Sequence, residues 1–158
     1  MRAQLDRQCL INASSRFWEM MLDMHIEPLP APADFCAAAG HLFGTVHLSG
    51  VWEGEIEVRL AEGLAYEATA AMMMQGLGSV READALDAIK EIANMIAGAI
   101  KSALPRPCAM AVPRSAVASQ PFRAGPSTEN SIAVGFRHPA GQMLVLVLEL
   151  EDGLNSRV

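Results

Sequence analysis

The sequence has few aromatic residues: five phenylalanines, two tryptophans and one tyrosine, 5% of 158 residues. A core built from it must therefore be aliphatic and rich in its 10 methionines. Cys9, Cys36 and Cys108 are odd in number, far apart and without a CxxC pair, which excludes a disulfide framework and fits a reducing cytoplasm. Basic clusters are missing too. With a formal net charge of −6, this argues against a nucleic-acid or membrane-surface partner. Apolar runs are short and interrupted, so none approaches the ~20 residues of a spanning helix. The opening "MRAQLDRQCLINASS" lacks the apolar centre of a secretory signal. The familiar catalytic and nucleotide signatures are absent as well. "GHLFG" and "GLGSV" are neither a P-loop nor a dinucleotide fingerprint, and there is no GxSxG. The expectation is one soluble cytoplasmic domain spanning 1–158.

What is present is an ordinary globular balance, 51% hydrophobic and 19% charged. The spacing predicts a helix from about Gln4 to Met24. A connector, "HIEPLPAPADF", follows, held extended by Pro28, Pro30 and Pro32. "HLFGTVHLSG" and "GEIEVRLA" read as strands joined by a hairpin through "SGVWEG". "EGLAYEATAAMMMQG" reads as a helix closed by Gly76, its Met72–Met74 cluster filling the core. "DALDAIKEIANMIAGAIKSAL" is a long helix stopped by Pro105 and Pro107. The remaining strands are "CAMAV", a weak one in "SAVASQPF", "SIAVGFRH" and "QMLVLVLEL", the last two joined as a hairpin by "PAG". This order indicates an α+β fold, an antiparallel β-sheet with long helices packed on it.

Candidate chemistry is sparse. His41 and His47 share a strand face by their offset of six, but two histidines without a third ligand read as surface residues. The long helix is more informative. At about 100° per residue, Ile89, Ile92, Ala93, Ile96 and Ile100 form a core-facing stripe. Asp84, Asp87, Lys90, Glu91, Asn94, Gly98, Lys101 and Ser102 fall opposite. Asp87, Glu91 and Asn94, at i, i+4 and i+7, rise from one solvent-facing strip. Asn94 and Gly98 are both weak helix formers, and Gly98 leaves a gap where another surface could approach. On spacing alone, the plainer reading is a solvated face with one weak residue.

The same segment resembles the signature helix of the CheC/CheX/FliY phosphatases, which act on the chemotaxis response regulator CheY. The family pattern of Asp or Ser, three residues, Glu, two residues and Asn falls on Asp87, Glu91 and Asn94, within "EIANMIAG". Pro113, 19 residues after Asn94, is the candidate for the family's distal proline. "INASSRFWEMM" and "GTVHLSGVWEGEIEVRLAEGLAYEATAAMMMQG" are similar to the family's first helix and its hairpin leading into a helix. Only one ExxN is found, which favours the CheX type.

The resemblance implies hydrolysis of an aspartyl phosphate on a phosphorylated CheY-like response regulator. It puts Mg²⁺, the phosphorylated Asp and a Lys on that partner and no metal or other cofactor on this chain. Asn94 would orient the attacking water and Glu91 would pair with the partner's Lys, while Asp87, Lys90 and Gly98 would frame the contact. It also implies homodimers paired through their sheets, for which "QMLVLVLEL" would suit an edge or interface. Two alternatives stay open: a non-catalytic response-regulator-binding or dimerisation module, and a small-ligand sensor.

Overall fold

The computed structural model describes residues 5–150. The Gln4 start expected for the first helix and the expected domain limits at 1 and 158 lie outside them. Helix α1 (Arg7–Leu22) begins at Asp6, whose carboxylate accepts the Cys9 amide at 2.9 Å. That hydrogen bond holds the Asp6 carboxyl below its ordinary range. The proline connector carries two short strands, β1 (Glu27–Pro28) and β2 (Cys36–Ala37). Next come β3 (Leu42–Gly50), β4 (Gly54–Leu60), α2 (Glu62–Met73) and α3 (Glu82–Lys101). The chain continues through β5 (Cys108–Met110), β6 (Arg114–Val117), β7 (Phe122–Arg123), β8 (Ser131–His138) and β9 (Gly141–Glu149).

Seven strands form one antiparallel sheet in the order β1-β8-β9-β4-β3, with β5 and β6 sharing the far side of β3. β2 and β7 pair separately. The fold is α+β, with three helices on one face of this sheet. Strand alternation explains the layering. In β3 and β4, Leu42, Val46, Leu48, Ile56, Val58 and Leu60 are all buried toward the helices, while Phe43, Thr45, His47, Glu55, Glu57 and Arg59 face the other way. Trp18 of α1 is fully buried and donates its indole N–H to Met143 Sδ at 3.2 Å, fastening that helix over the start of β9.

Several expectations need correction. "QMLVLVLEL" is no edge: β9 lies between β8 and β4, paired along both sides. Its apolar run reflects full cover on the helix side and partial cover on the other, where Leu146 is half-buried and Leu148 exposed. Met143, Val145 and Val147 join the helix-side core, and Leu144 joins a second cluster with Leu29, Phe35 and Ala133. Gly76 does not close α2; Met74 does, in the left-handed conformation at φ 53°. Met74 is 93% exposed and Met73 is exposed too, so only Met72 packs against the core. His41 is buried rather than on the surface.

Gly44 decides where α3 rests. A methyl added there would lie 2.9 Å from the Ile89 carbonyl oxygen and 3.0 Å from Ala93 Cβ, so helix and strand meet without a side chain between them. Gly44→Ala is expected to lift α3 and lower stability by about 1–3 kcal/mol, the usual cost of overpacking. At roughly 2–4 °C per kcal/mol for a chain of this size, thermal unfolding reads the loss directly. An unchanged melting temperature would show that the contact is not a constraint.

Candidate functional site

Helix α3 is one uninterrupted element from Glu82 to Lys101, passing through Gly98 without a break. Its N-terminus is capped by Asp84, which accepts the Arg81 amide at 3.0 Å, and Glu82 and Asp84 place negative charge at the positive end of the helix dipole. Ile89, Ile92, Ala93, Ile96 and Ile100 are buried, as the wheel requires. Ala85, Ala88 and Ala97 widen that buried stripe. Opposite it, Asp87, Glu91, Gly98 and Ser102 are exposed, while Asp84, Lys90, Asn94 and Lys101 are half-buried.

Asn94 is thus less open than its spacing suggested. Leu86, Lys90 and Asn94 follow one another at i, i+4 and i+8, and the Leu86 carbonyl accepts the Ser115 hydroxyl of β6 at 2.8 Å. At the level of Leu86, that flank of α3 therefore leans on the sheet edge.

The strip contains one internal pair among the described residues, Lys90 Nζ to Asp87 Oδ1 at 3.8 Å, with side chains 44% and 80% exposed and so of small energetic weight. Among the described residues, the Glu91 carboxylate has no ion pair and the Asn94 carboxamide no hydrogen bond. A rigid helix therefore presents an acceptor with full charge and, about one turn on, a carboxamide with both donor and acceptor capacity. Gly98 continues the strip as bare backbone: a methyl added there would meet nothing within 4 Å.

Pro113 stands between β5 and β6, on the edge paired with β3, close in sequence to the Ser115 contact. The sequence reading missed two residues that fix α3, Gly44 and Ser115. An isolated glycine inside a strand pattern was the available signal for the first. No local signal marks the second.

The sheet face opposite the helices holds a different polar group. Arg59 grips Glu57 through two hydrogen bonds of 3.0 and 3.1 Å and reaches His41 Nε2 at 2.8 Å, with its guanidinium over the Phe43 and Phe122 rings. Arginine cannot accept, so His41 Nε2 must, and Nδ1–H donates to the Ala38 carbonyl at 2.7 Å. The cluster satisfies itself and ties β7 over the sheet. Nearby lies an apolar cavity of about 240 Å³ against Phe122, Ala124, Leu144, Leu146 and Leu148. Among the described residues no three His, Cys, Asp or Glu side chains are grouped to hold a metal ion. Burial pushes the Cys108 thiol above its ordinary value, which keeps it protonated and unreactive. No described helix is long and apolar enough to cross a membrane.

A family model described as Chemotaxis phosphatase CheX matches residues 42–137, more than half of the chain and all of α3. No curated protein matches the chain. Among similar solved structures, the chemotaxis protein CheX from Vibrio vulnificus has a TM-score of 0.75 at 18% identity, covering 95% of this chain and 100% of that one. CheX in a CheX–CheY–BeF3–Mg²⁺ complex from Borrelia burgdorferi has a TM-score of 0.69 at 16% identity, covering 91% of this chain and 97% of that one. Thermotoga maritima FliY has a TM-score of 0.59 at 15% identity, with 92% of each chain covered. At these identities the structural likeness speaks to the fold.

Proposed function

The chain belongs to the CheX family of chemotaxis phosphatases, and from that premise we propose that it hydrolyses the aspartyl phosphate of a CheY-like response regulator. The observation that carries this reading is the pair of unengaged polar side chains, Glu91 and Asn94, on the outward side of a helix inside the matched region. The Borrelia burgdorferi complex supports a CheY-like protein as the partner and Mg²⁺ as the partner's metal.

In the reaction, a water oxygen attacks phosphorus opposite the regulator's aspartate. The bond from phosphorus to that carboxylate breaks, releasing inorganic phosphate and the free side chain. The developing charge sits on phosphoryl oxygens beside the regulator's own metal and lysine, so this chain's task is to place water and hold register. Asn94 suits the first: its carboxamide oxygen can accept a hydrogen bond from the water while its amide N–H donates toward the phosphoryl group. Glu91 suits the second, as a carboxylate able to take a charge-assisted hydrogen bond from the partner's Lys. Asp87 and Lys90 lie at the rim, already satisfying one another. Edge-to-edge pairing of two copies would use an outer strand, β5–β6 or β1, since β9 is interior.

The direct test is phosphate release from the phosphorylated response regulators of the same organism, with and without the chain. Acceleration of one regulator supports the proposal. Binding without acceleration would leave a docking module instead.

Gly98 supplies an independent check, because fold and function pull it in opposite directions. Gly98→Ala should stabilise the isolated chain by up to about 1 kcal/mol, since alanine is the better helix former and nothing crowds the added methyl. If regulator loops approach the bare backbone, the same variant should bind the regulator more weakly. A raised melting temperature with unaltered affinity would remove Gly98 from the contact.

A further inference from the structure

We infer that Ser115 is a positioning residue for the phosphatase site, and that the bulge at Ala111–Pro113 is what aims it. This rests on the proposed phosphatase reading of α3.

The inference comes from strand register. β5 and β6 are two parts of one edge beside β3. In β5, Leu48 faces Met110 and Gly50 faces Cys108, and both even-numbered residues point to the helix side. Continued without interruption, that register would set Gly44 opposite residue 114, an arginine. Gly44 instead faces Ser115, and Thr45 faces Arg114. One extra residue has been absorbed between Met110 and Arg114. Ala111 still donates its amide to the His47 carbonyl at 2.8 Å, and Pro113 has no amide hydrogen to offer the ladder. A one-residue shift exchanges the two faces of a strand. Beyond the bulge, the odd-numbered residues face the helices. Arg114 is therefore exposed, and the Ser115 hydroxyl lies beneath α3, donating to the Leu86 carbonyl oxygen at 2.8 Å.

This contact differs in kind from the rest of the α3 interface. The isoleucine stripe and the close approach at Gly44 hold the helix down along one line, under Ile89 and Ala93. Apolar packing is non-directional, so it resists lifting more than rolling. The Ser115 hydrogen bond is directional and off that line, on the strip that runs Leu86, Lys90, Asn94. Rolling α3 by about 10° would sweep a side chain that reaches roughly 6 Å from the axis through about 1 Å. Misplacement of that size can cost on the order of 10²-fold in rate. The bulge thus links the edge of the sheet to the aim of the Asn94 carboxamide, through a residue that touches neither water nor phosphate.

The test compares Ser115→Ala, Ser115→Thr and the natural chain in the phosphate-release assay with the cognate regulator. Ser115→Ala, still partly held by the Gly44 contact, should lower kcat by about tenfold with KM changed by less than about threefold. Ser115→Thr, which keeps the hydroxyl, should restore the rate. Amide exchange in the first turns of α3 should quicken in Ser115→Ala alone, because the contact that restrains them from the sheet side is lost. A merely structural role would lower the melting temperature while leaving kcat per folded molecule unchanged. Wild-type kcat in Ser115→Ala, or no recovery in Ser115→Thr, overturns the positioning role while the phosphatase reading stands. A natural chain that accelerates no regulator overturns that reading and this inference with it. Deleting Val112, which is 84% exposed, should let β5 run into β6 without a bulge while Ser115 stays opposite Gly44, so kcat should remain near that of the natural chain. If that deletion does not fold, the two Ser115 variants decide alone.

Discussion

Asn94→Ala is expected to slow regulator dephosphorylation by about 10²–10³-fold, roughly 3–4 kcal/mol, while leaving affinity for the phosphorylated regulator nearly unchanged. The asymmetry follows from what the carboxamide is asked to do. A group that orients attacking water is used fully only when water and phosphorus are reacting, so its removal raises the barrier rather than weakening the complex. The fold should not suffer. Asn94 is half-buried and its side chain has no hydrogen bond among the described residues, so truncation strands no partner. Alanine is also the better helix former, by some tenths of a kcal/mol, so the melting temperature should hold or rise. Single-turnover phosphate release, a binding titration and thermal unfolding separate the three effects. A folded Asn94→Ala with the natural rate would sink the catalytic role and put the docking-module reading first.

Glu91→Ala should behave differently, losing affinity as well as rate. If its carboxylate pairs with a lysine in the regulator's site, the truncated pair costs on the order of 2–5 kcal/mol when shut away from water and less at a wet rim. Much of that cost is the lysine left without its partner. Glu91 is exposed and has no ion pair among the described residues, so its removal should barely change the melting temperature. Affinity measured at two salt concentrations distinguishes the cases. A rim contact weakens as the ionic strength rises, whereas an enclosed one is screened little. If Glu91→Ala binds as tightly as the natural chain, Glu91 is not the anchor, and register must be set elsewhere on α3.

Both variants lie on a helix whose two sides were legible in advance. The stripe Ile89, Ile92, Ala93, Ile96, Ile100 and the strip Asp87, Glu91, Asn94 follow from the helical repeat, which depends on a residue's neighbours and not on what the helix packs against. The hairpin through residues 51–53, the alternation in β4 and the closing hairpin at Pro139–Ala140 follow in the same way from the two-residue strand repeat and turn residues. The misjudged positions were those whose environment is supplied from far along the chain. β9 reads as an edge from its apolar run alone, yet it is paired along both sides, with its helix face packed in the main core and Leu144 on the other face packed with Leu29 and Phe35. His41 reads as a surface residue until Arg59, on the next strand, and Phe122, some eighty residues later, close over it.

The amino-acid sequence by itself determined the main helices and strands, though not the two-residue strands β1, β2 and β7, and with them which face of α3 is buried and which polar groups stand opposite. These are short-range consequences of side-chain spacing, capping and backbone preference. Only the tertiary structure decided how that helix is aimed. Its height is set by Gly44, its roll by Ser115, and the face Ser115 takes by one extra residue in an edge strand. Register is a relation between segments that no local pattern encodes. Because one extra residue is absorbed between Met110 and Arg114, every side chain beyond it takes the opposite face from the one unbroken alternation would give.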